Sequence, residues 1–368
     1  MKVAHLTNVH RRFDTRIFLK ECVSAAQNKF DTFLIVADGL GDEESEGVKI
    51  IDVGKQPSNR LKRFVTTSRK IYKKALEIDC DIYHFHDPEL LFVGYLLKRK
   101  GKIVIYDIHE NVSEQILCKK YIPGKITRLI FSKLYRSIET FFGRKLDAFV
   151  TVTEGVARHL NHKNIHVVRN VPILSIIDSI YPQKSKNKDF TIIYPGSITR
   201  NRGIFDLIEA LYYLKNKAVL HLYGNWYSEA FKEECENHPG WKYVSYMGVV
   251  SPKEVFIQIK KSDLGVHLVH DITNFEDSLP VKVYEFMACN IPCIVSDTKT
   301  HRELLGDYVY YATPKNARDI AAKIEDIINN ESERHNTIVS ARKFVENDNS
   351  WEKEKNKLIS LYEDLIYK

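Results

Sequence analysis

Short apolar runs alternate with amphipathic stretches along residues 1–170, and the same alternation begins again at Thr191. Short apolar runs between polar residues are typical of buried strands, and apolar residues three and four apart are typical of helices. Strands that alternate with helices predict parallel sheets covered on both faces. The strand-like runs are KVAHLT, DTFLIVAD, KIIDV, DIYHFHD, KIVIYDIH, AFVTVT and IHVVRN in the first series, and TIIYPG, VLHLYG, YVSYMG, LGVHLV, PCIVSD and VYYAT in the second.

Two such series predict an α/β protein of two doubly wound, Rossmann-like domains. A chain of 368 residues is long enough for both. The joint is expected within residues 171–190, which contain two prolines and end in a lysine-rich polar stretch. We therefore predict an N-terminal domain over 1–172 and a C-terminal domain over 173–350. A terminal helix over 351–368 is expected to pack back toward the N-terminal domain.

Composition places the chain among globular proteins, with 44% hydrophobic and 28% charged residues. The chain has no run of 18 apolar residues, so no transmembrane helix is expected. The opening MKVAHLTNVHRRFDTR becomes charged too early for a secretory signal. Six scattered cysteines predict free, mostly buried thiols in a reducing cytosol.

Positive charge is concentrated in the first half of the chain. Residues 1–180 carry 30 Lys and Arg against 21 Asp and Glu, whereas the remainder is slightly acidic. Segments 55–74 and 119–145 each hold eight basic residues, with no acid in the first and only Glu139 in the second. The second also has apolar residues at helical spacing, which favours contact with an anionic membrane surface. A solvated helix face is the alternative, and nucleic acid is not expected.

The loop after the run TIIYPG has features of a phosphate site. It reads SITRNRG over residues 197–203, with two arginines, a glycine at each end and an amphipathic helix behind it. Backbone N–H groups at a helix N-terminus and arginine side chains both favour a phosphate. The pattern alone is common, so it indicates phosphate binding only weakly.

The stretch DSLPVKVYEFMACNIPCIVSD places two charges inside an apolar helix. Pro280 suits the first helical position, and Asp277 and Ser278 precede it as capping residues. Lys282 and Glu285 are three residues apart and share a face. Charges among apolar residues need a partner or a ligand. Two interpretations remain open: an ion pair between them, or a diphosphate at Lys282 and sugar hydroxyls at Glu285.

Other motifs indicate neither a metal nor a dinucleotide. Asp79-Cys80-Asp81 has DxD spacing but lies at the start of a predicted strand, the wrong end for an α/β site. His84, His86 and Asp87 offer metal-binding atoms, but zinc needs further ligands that the sequence does not place. The first strand is not followed by GxGxxG, so no dinucleotide site is expected.

Several motifs together resemble the family 4 glycosyltransferases of the GT-B fold. They are VHRRFDTRIFLKE, HFHDPEL, YDIHEN, YPGSITRNRGIFDLIEAL and SLPVKVYEFMACNIPCIVSD, which occur in the family's order over nearly the whole chain. The resemblance implies two Rossmann-like domains facing across a cleft. It also implies transfer from a nucleotide sugar with retained configuration and without a metal.

Carried over by position, the resemblance implies roles for individual residues. Arg202 and Lys282 would bind the donor diphosphate and offset charge on the leaving group, and Glu285 would hold the ribose. His109 matches the family histidine near the anomeric centre. Asp277 stands where the family has the first of two glutamates, one methylene shorter. His109, Asp277, Arg202 and Lys282 are thus the catalytic candidates.

The remaining candidates follow the predicted strands in each domain. Those for donor binding are Gly196, Ser197, Arg200, Gly203, Gly224, Gly248, Val249, Ser278, Leu279 and Pro280. Those on the acceptor side are His10, Asp14, Arg16, His86 and Asp87. For Asp14 and Arg16 a local salt bridge remains an equal alternative. Asn170 resembles a hinge-proximal asparagine of the family.

The resemblance therefore implies transfer of a hexose or N-acetylhexosamine, most often from a UDP-sugar, to a polyprenyl-diphosphate-linked glycan. Such enzymes build bacterial O-antigen, capsule or exopolysaccharide on the cytoplasmic face of the membrane. One alternative is a sugar-nucleotide epimerase or a phosphorylase of the same fold. Another is a non-catalytic sugar-nucleotide-binding partner.

Overall fold

The protein folds into two compact units in a computed structural model that describes residues 1–59, 62–119, 122–182, 189–270 and 279–367. Of the described residues, those within 1–170 and 351–367, together with Leu279, belong to the first unit, and those within 171–270 and 280–350 belong to the second. Each unit is built around one sheet with helices on both faces. The terminal helix Trp351–Ile366 is therefore part of the first unit.

The sheet of the first unit has eight strands within the described residues, in the order β3-β4-β2-β1-β5-β6-β7-β8. All neighbouring strands are parallel except β3 and β4. The order reverses at β1, which has β2 on one side and β5 on the other. The strands are β1 (Lys2–Leu6), β2 (Asp31–Val36), β3 (Glu43–Ser45), β4 (Val48–Asp52), β5 (Ile82–Phe85), β6 (Ile103–Ile108), β7 (Ala148–Thr151) and β8 (Ile165–Val167).

Helices follow most of these strands. A π-helical turn, Thr15–Cys22, continues into the α-helix Val23–Gln27, and a second one, Arg63–Thr67, continues into Ser68–Ile78. The other helices that the structure describes in this unit are Pro88–Leu90 (3-10), Leu91–Arg99, Val112–Cys118, Lys125–Gly143, Glu154–Arg158 and Trp351–Ile366.

The sheet of the second unit is wholly parallel, in the order β11-β10-β9-β12-β13-β14. Its strands are β9 (Phe190–Pro195), β10 (Ala218–Tyr223), β11 (Val244–Gly248), β12 (Leu264–His267), β13 (Cys293–Ser296) and β14 (Tyr310–Ala312). Its α-helices are Leu174–Asp178, Ile204–Leu214, Glu229–Glu236, Pro252–Lys261, Val281–Ala288, Lys299–Leu305, Ala317–Asn329 and Glu331–Asp348, with 3-10 turns at Arg200–Arg202 and Pro239–Tyr243.

The predicted α/β class and the two doubly wound sheets are confirmed. The strand that sequence reasoning missed is β3, because its residues EES carry no apolar signal. It joins the edge as an antiparallel neighbour of β4, which backbone hydrogen bonding allows without apolar side chains. The central strands are buried on both faces, as their continuous apolar runs predict.

The C-terminal helix is attached to the first unit by buried polar contacts. The indole of Trp351 donates a hydrogen bond to the hydroxyl of Ser24 over 2.9 Å, and both residues are buried. The buried carboxylate of Glu354 accepts hydrogen bonds from the backbone and side chain of Arg169, each of 2.9 Å. Unpaired, that carboxylate would be costly to bury, so the pairing fixes the register of the helix.

Cys22, Cys80, Cys235, Cys289 and Cys293 are buried free thiols, and Cys118 is an exposed one. Within the part of the chain that the structure describes, no helix combines the length and the apolar character needed to span a bilayer.

Candidate functional site

The loops at the carboxyl ends of β9 and β12 meet where the strand order of the second sheet reverses. In open α/β sheets this reversal opens a crevice in which ligands bind. Gly203 has a φ of 65°, and a Cβ there would lie 2.7 Å from that of Leu268 after β12. The backbone N–H of His270 donates to the carbonyl of Asn201 over 2.8 Å. The two loops are thus joined at the point where a ligand is expected.

Two cations lie beside this junction, Arg202 on the β9 loop and Lys282 on the helix Val281–Ala288. A Cβ on Gly196 would lie 3.1 Å from Cε of Lys282, so the lysine stem crosses this glycine. Arg202 hydrogen-bonds to the hydroxyl of Tyr194, which itself donates to the carbonyl of Ser197 over 2.8 Å. The sequence predicted these cations separately, and the fold brings both to the same switch point.

The pKa of His267, at the end of β12, is lowered by burial and by the positive charges around this switch point. Burial lowers it first, and the neighbouring His301, Arg202 and Lys282 lower it further, to about 3. An imidazole next to two cations does not accept a proton readily. The local field therefore favours an anion, as a donor diphosphate would require.

Lys282 and Glu285 form no ion pair with each other, although both are partly buried on one helix face. Among the described residues, neither side chain has a hydrogen-bond or ion-pair partner. The ion-pair interpretation of this stretch is therefore not supported by the geometry. A partly buried ammonium group of this kind is available to a ligand.

Glycines shape the other side of the same crevice. Gly224, after β10, has a φ of 129°, and a Cβ there would lie 1.8 Å from the carbonyl oxygen of Gly196. Its N–H donates to the carbonyl of Gly248 over 2.8 Å. Gly196 donates to Tyr223 over 2.9 Å, so the loops after β9, β10 and β11 are joined by backbone hydrogen bonds. Val249 follows with its side chain exposed.

Two predicted donor-side details differ in the structure. Arg200 forms an ion pair with Glu234 and lies over the rings of Phe205 and Phe231, so its guanidinium is already engaged on the surface. Pro280 precedes the helix as its N-cap, and the first helical residue is Val281. Leu279 is partly buried beside it. Asp277 and Ser278 lie outside the described residues.

In the first unit, Arg16 is a buried structural cation. Its guanidinium forms two hydrogen bonds of 2.9 Å with the carboxylate of Asp107 and a third, of 3.0 Å, with the carbonyl of Val168. Arg16 is 4% exposed at its side chain and Asp107 is fully buried. Asp14 caps the same helix by accepting from the N–H groups of Arg16 and Ile17. Arg16 therefore has no free surface for the expected ligand contact, and its forked pairing is with Asp107, 91 residues away, where the alternative expected a local salt bridge.

The prediction put His86 and Asp87 on the acceptor side, but the structure buries both side chains. One oxygen of Asp87 accepts from the hydroxyl of Thr7 and the N–H of Asn8, over 2.7 and 2.6 Å, and so fixes the loop after β1. His86 hydrogen-bonds to Asp107 over 3.1 Å. Buried side chains have no surface to offer a ligand, so these residues position the loops of the site and do not contact the ligand.

The partly exposed residues at this edge are His10, Asp14 and His109. His10 lies 3.5 Å from Asp14 and 3.4 Å from Asp87, atom to atom. The hydrogen bond with Asp14 raises the pKa of His10 more than burial lowers it. His109 hydrogen-bonds to Asp107 over 2.8 Å and is 22% exposed. A histidine held by a buried carboxylate has its tautomer and orientation fixed.

Sequence reasoning missed the charged and polar groups beneath this edge. They are His5 on β1, Glu21 on the π-helical turn, Asp107 on β6 and Tyr362 on the C-terminal helix, all buried. The signal was present: each is a polar residue inside an apolar run, a pattern that demands a partner. Lys20 is buried nearby and donates to Asn170 over 2.5 Å.

The helix Lys125–Gly143 exposes a row of large apolar side chains. Their exposed fractions run from 42% at Ile138 to 75% at Ile126. Glu139, the one acidic residue of this helix, is partly buried and accepts a hydrogen bond from Tyr135 over 2.9 Å. The exposed face thus combines apolar residues with basic ones. The apolar set is Ile126, Leu129, Ile130, Phe131, Leu134, Ile138 and Phe141.

Family models match both units. The Glycosyltransferase Family 4 model matches residues 18–171, and the Glycosyl transferases group 1 model matches residues 177–344. A curated relative, a putative glycosyltransferase EpsD of Bacillus subtilis, is 23% identical over 267 residues. That alignment covers 65% of this chain and 64% of the relative, so the chain spans less than two thirds of the relative's length.

Solved structures share the whole fold at low identity. A glycosyltransferase from Rickettsia africae is 15% identical with a TM-score of 0.75, covering 99% of this chain and 98% of that one. A sucrose-phosphate synthase from Thermosynechococcus elongatus is 14% identical with a TM-score of 0.77, covering 100% and 99%. Anabaena HepE in complex with UDP-glucose is 15% identical with a TM-score of 0.74, covering 99% and 100%.

These likenesses agree with the two parallel sheets and with the cationic switch point of the second unit. The two family models together match well over half of the chain, one on each unit. The protein therefore carries the domain pair of a glycosyltransferase of the GT-B type.

Proposed function

We propose that the protein transfers a hexose or N-acetylhexosamine, with retention of configuration, from a UDP-sugar to a polyprenyl-diphosphate-linked glycan. The product would be a bacterial surface polysaccharide. The observation that carries the proposal is the placement of Arg202 and Lys282 at the switch point of the second sheet, where Lys282 crosses Gly196 and Arg202 meets Tyr194. The choice of uridine is supported by the Anabaena neighbour, whose structure contains UDP-glucose.

The reaction needs positive charge where the leaving group departs. Breaking the bond from the anomeric carbon to the diphosphate builds negative charge on a phosphate oxygen. Fixed cations stabilise that charge without a proton transfer. Arg202 and Lys282 would supply this stabilisation, so we propose that the reaction proceeds without a divalent ion. Glu285, on the same helix face as Lys282, would accept hydrogen bonds from the ribose.

The acceptor side of the proposal rests on the exposed face of the helix Lys125–Gly143. Apolar side chains of this size rarely form an exposed row on a soluble surface without a partner. The basic residues around the row favour anionic headgroups. An acidic surface or a nucleic acid would not satisfy the apolar row. We therefore propose that this face, helped by segment 55–74, holds the protein on the inner leaflet, where a polyprenyl-linked acceptor is found.

Vesicle sedimentation tests the membrane contact. Wild-type protein should bind vesicles that contain anionic lipid and bind neutral vesicles weakly. Replacing Lys133 and Arg144 with Gln should weaken binding about 30-fold, from roughly 1 kcal/mol for each charge. Replacing Ile130 and Leu134 with Ser should also weaken it. Leu40→Ser is the matched control, because Leu40 is an apolar side chain that is 72% exposed on a loop outside this helix. Equal binding by every variant would contradict the proposal.

Calorimetric titration with UDP tests the donor site. Lys282→Met should weaken UDP binding by about 2 kcal/mol, or about 30-fold, since a charge-assisted hydrogen bond is lost. Lys299→Met is its control, because Lys299 is 90% exposed on another helix. Arg202→Gln should weaken binding, whereas Arg200→Gln should not, because Arg200 is paired with Glu234. Binding should persist in EDTA. Unchanged affinity in Lys282→Met would remove the donor-site assignment.

Turnover separates transfer from the alternatives. UDP release that requires a lipid-linked glycan acceptor supports the transferase. Isomerisation of the sugar nucleotide without an acceptor would indicate an epimerase, and nucleotide binding without turnover would indicate a non-catalytic partner. His109→Ala should lower turnover and leave UDP affinity unchanged, because His109 belongs to the first unit.

A further inference from the structure

Four buried side chains converge beneath the loops of the first unit. His5 lies on β1 and His84 on β5, and these two residues are direct register partners in the parallel pair. His86 follows two residues later, so it shares the face of His84. Glu21 reaches the same face from the π-helical turn Thr15–Cys22. The side chains of all four are fully buried.

The distances within this group approach those between ligands of one metal ion, and the shortest, 2.9 Å between Nδ1 of His5 and Nε2 of His86, is a hydrogen bond that the ion would replace. Oε2 of Glu21 lies 3.7 Å from Nδ1 of His5, 3.9 Å from Nδ1 of His84 and 3.8 Å from Nε2 of His86. A tetrahedral ion with bonds of about 2.0 Å separates its ligands by about 3.3 Å. The ligand atoms, one from each residue, all lie within 4.8 Å of one another.

Hydrogen bonding among the described residues does not satisfy the carboxylate. Neither oxygen of Glu21 has a hydrogen-bond partner, and both are shielded from solvent. Its separations from the three rings are too long for hydrogen bonds. Oε1 of Glu21 forms an ion pair with Arg16 over 3.1 Å, so Oε2 is the oxygen that no cation among the described residues pairs. A buried, unsatisfied carboxylate oxygen aimed at three imidazoles is unusual unless a cation lies between them.

The surrounding residues would orient the rings of His86 and His5 for coordination, whereas Nδ1 of His84 lies 2.8 Å from the hydroxyl of Tyr362 and would exchange that hydrogen bond for the ion. Nδ1 of His86 lies 3.1 Å from the carboxylate of Asp107, while its Nε2 faces Glu21. Nε2 of His5 lies 3.2 Å from the hydroxyl of Tyr362, while its Nδ1 faces Glu21. A metal-bound histidine typically uses its second nitrogen in this way. Burial also lowers the pKa of His5, His84 and His86, which keeps the rings in the neutral form that binds metals.

We propose that the first unit binds one structural Zn²⁺ ion through His5, Glu21, His84 and His86. Three imidazoles and one carboxylate suit a closed tetrahedral zinc site, and the absence of exposed surface on these side chains suits a structural role. The ion would attach the turn Thr15–Cys22 to β1 and β5. This site is independent of the proposed sugar transfer and of the donor crevice, which is in the other unit.

The competing account is a proton in place of the ion. Burial raises the pKa of Glu21 first, and Asp107 raises it further by its charge and by a hydrogen bond, so the alternative is a protonated Glu21 carboxyl group that donates to Asp107. Protein with a protonated Glu21 would contain no metal at this site, whereas protein with the zinc site would contain one Zn²⁺ ion per chain. Metal analysis therefore separates the two accounts directly.

The test is elemental analysis of full-length protein, purified without a polyhistidine tag from zinc-supplemented cells. About one Zn²⁺ per chain is expected, as for a structural site. Glu21→Gln and His5→Gln should each retain less than about a tenth of that amount. His301→Gln is the matched control: His301 is buried in the second unit, bonded to the carbonyl of Ser296, and its loss should leave the zinc content unchanged.

A second measurement covers variants that fail to fold. Wild-type protein produced with Co²⁺ in place of zinc should show the visible absorption of a tetrahedral site, and prolonged chelation should lower its melting temperature. Wild type that contains less than about a tenth of an equivalent of any transition metal would overturn the proposal. So would full zinc content in a folded Glu21→Gln variant.

Discussion

Replacing Arg16 with Met should destabilise the first unit by about 3–5 kcal/mol, because it leaves the carboxylate of Asp107 buried and without its main partner. The two 2.9 Å hydrogen bonds of the fork and the 3.0 Å bond to Val168 would all be lost. Methionine fills much of the same volume, so the loss reports charge and hydrogen bonding more than packing. Arg16→Lys should fall between wild type and Arg16→Met, since it keeps the charge without the planar fork.

The loss should depend on pH with a definite sign. Burial alone raises the pKa of Asp107, but Arg16 and then His109 outweigh it and hold that pKa well below its usual value. In wild type, the stabilisation from the lowered pKa of Asp107 is complete above about pH 4, the pKa of an aspartate in the unfolded chain. It is lost only as the pH falls through the lower pKa that Asp107 has in the folded protein. Without Arg16 the folded pKa rises, so Asp107 can take a proton in mild acid. The destabilisation should therefore shrink between pH 7 and pH 5.

Urea unfolding followed by tryptophan fluorescence measures this. Trp351 is the tryptophan of the first unit, whereas Trp226 and Trp241 belong to the second. A background with Trp226→Phe and Trp241→Phe leaves Trp351 as the reporter of the first unit. Lys74→Met is the control, because its exposed pair with Glu77 should contribute less than about 1 kcal/mol. A loss below about 1 kcal/mol, or one equal at both pH values, would refute the reasoning.

Three further predictions follow from particular contacts. Gly224→Ala should greatly weaken UDP binding and lower the melting temperature in a thermal-shift assay, because its Cβ would meet the Gly196 carbonyl oxygen. Gly248→Ala should have a smaller effect in the same assay, because Gly248 also has a positive φ but has open space around it. Tyr362→Phe should cost about 1–2 kcal/mol in urea unfolding, since its hydroxyl joins His84 and His5; a neutral result would mean that this bridge does not stabilise the fold. The pKa of His10, followed by NMR, should lie above that of a free histidine and fall in Asp14→Asn, and no change in that variant would contradict the Asp14 contact.

The periodicity of the chain was sufficient for most of the fold. Continuous apolar runs such as DTFLIV and FTIIYP predict buried parallel strands, because a strand covered on both faces has no solvent side to make polar. The strand β3 could not be predicted, since backbone hydrogen bonds alone add its polar residues to the edge. On the donor side, residue type and position indicated a phosphate site only weakly, and the family resemblance selected Arg202 and Lys282.

Only the tertiary structure decided which charged residues are exposed and which are buried. Arg200 and Arg202 are two residues apart in one loop, yet the first meets Glu234 on the surface and the second meets Tyr194 in the crevice. The sequence left Arg16 open between a ligand contact and a local salt bridge, and the fold makes it the buried partner of Asp107, 91 residues away. The grouping of His5, Glu21 and His84 with Tyr362, 357 residues from His5, could not be predicted, because a polar residue inside an apolar run indicates only that it needs a partner. A linear pattern records which side chains need a partner, but chain folding over long separations determines which partner each one finds.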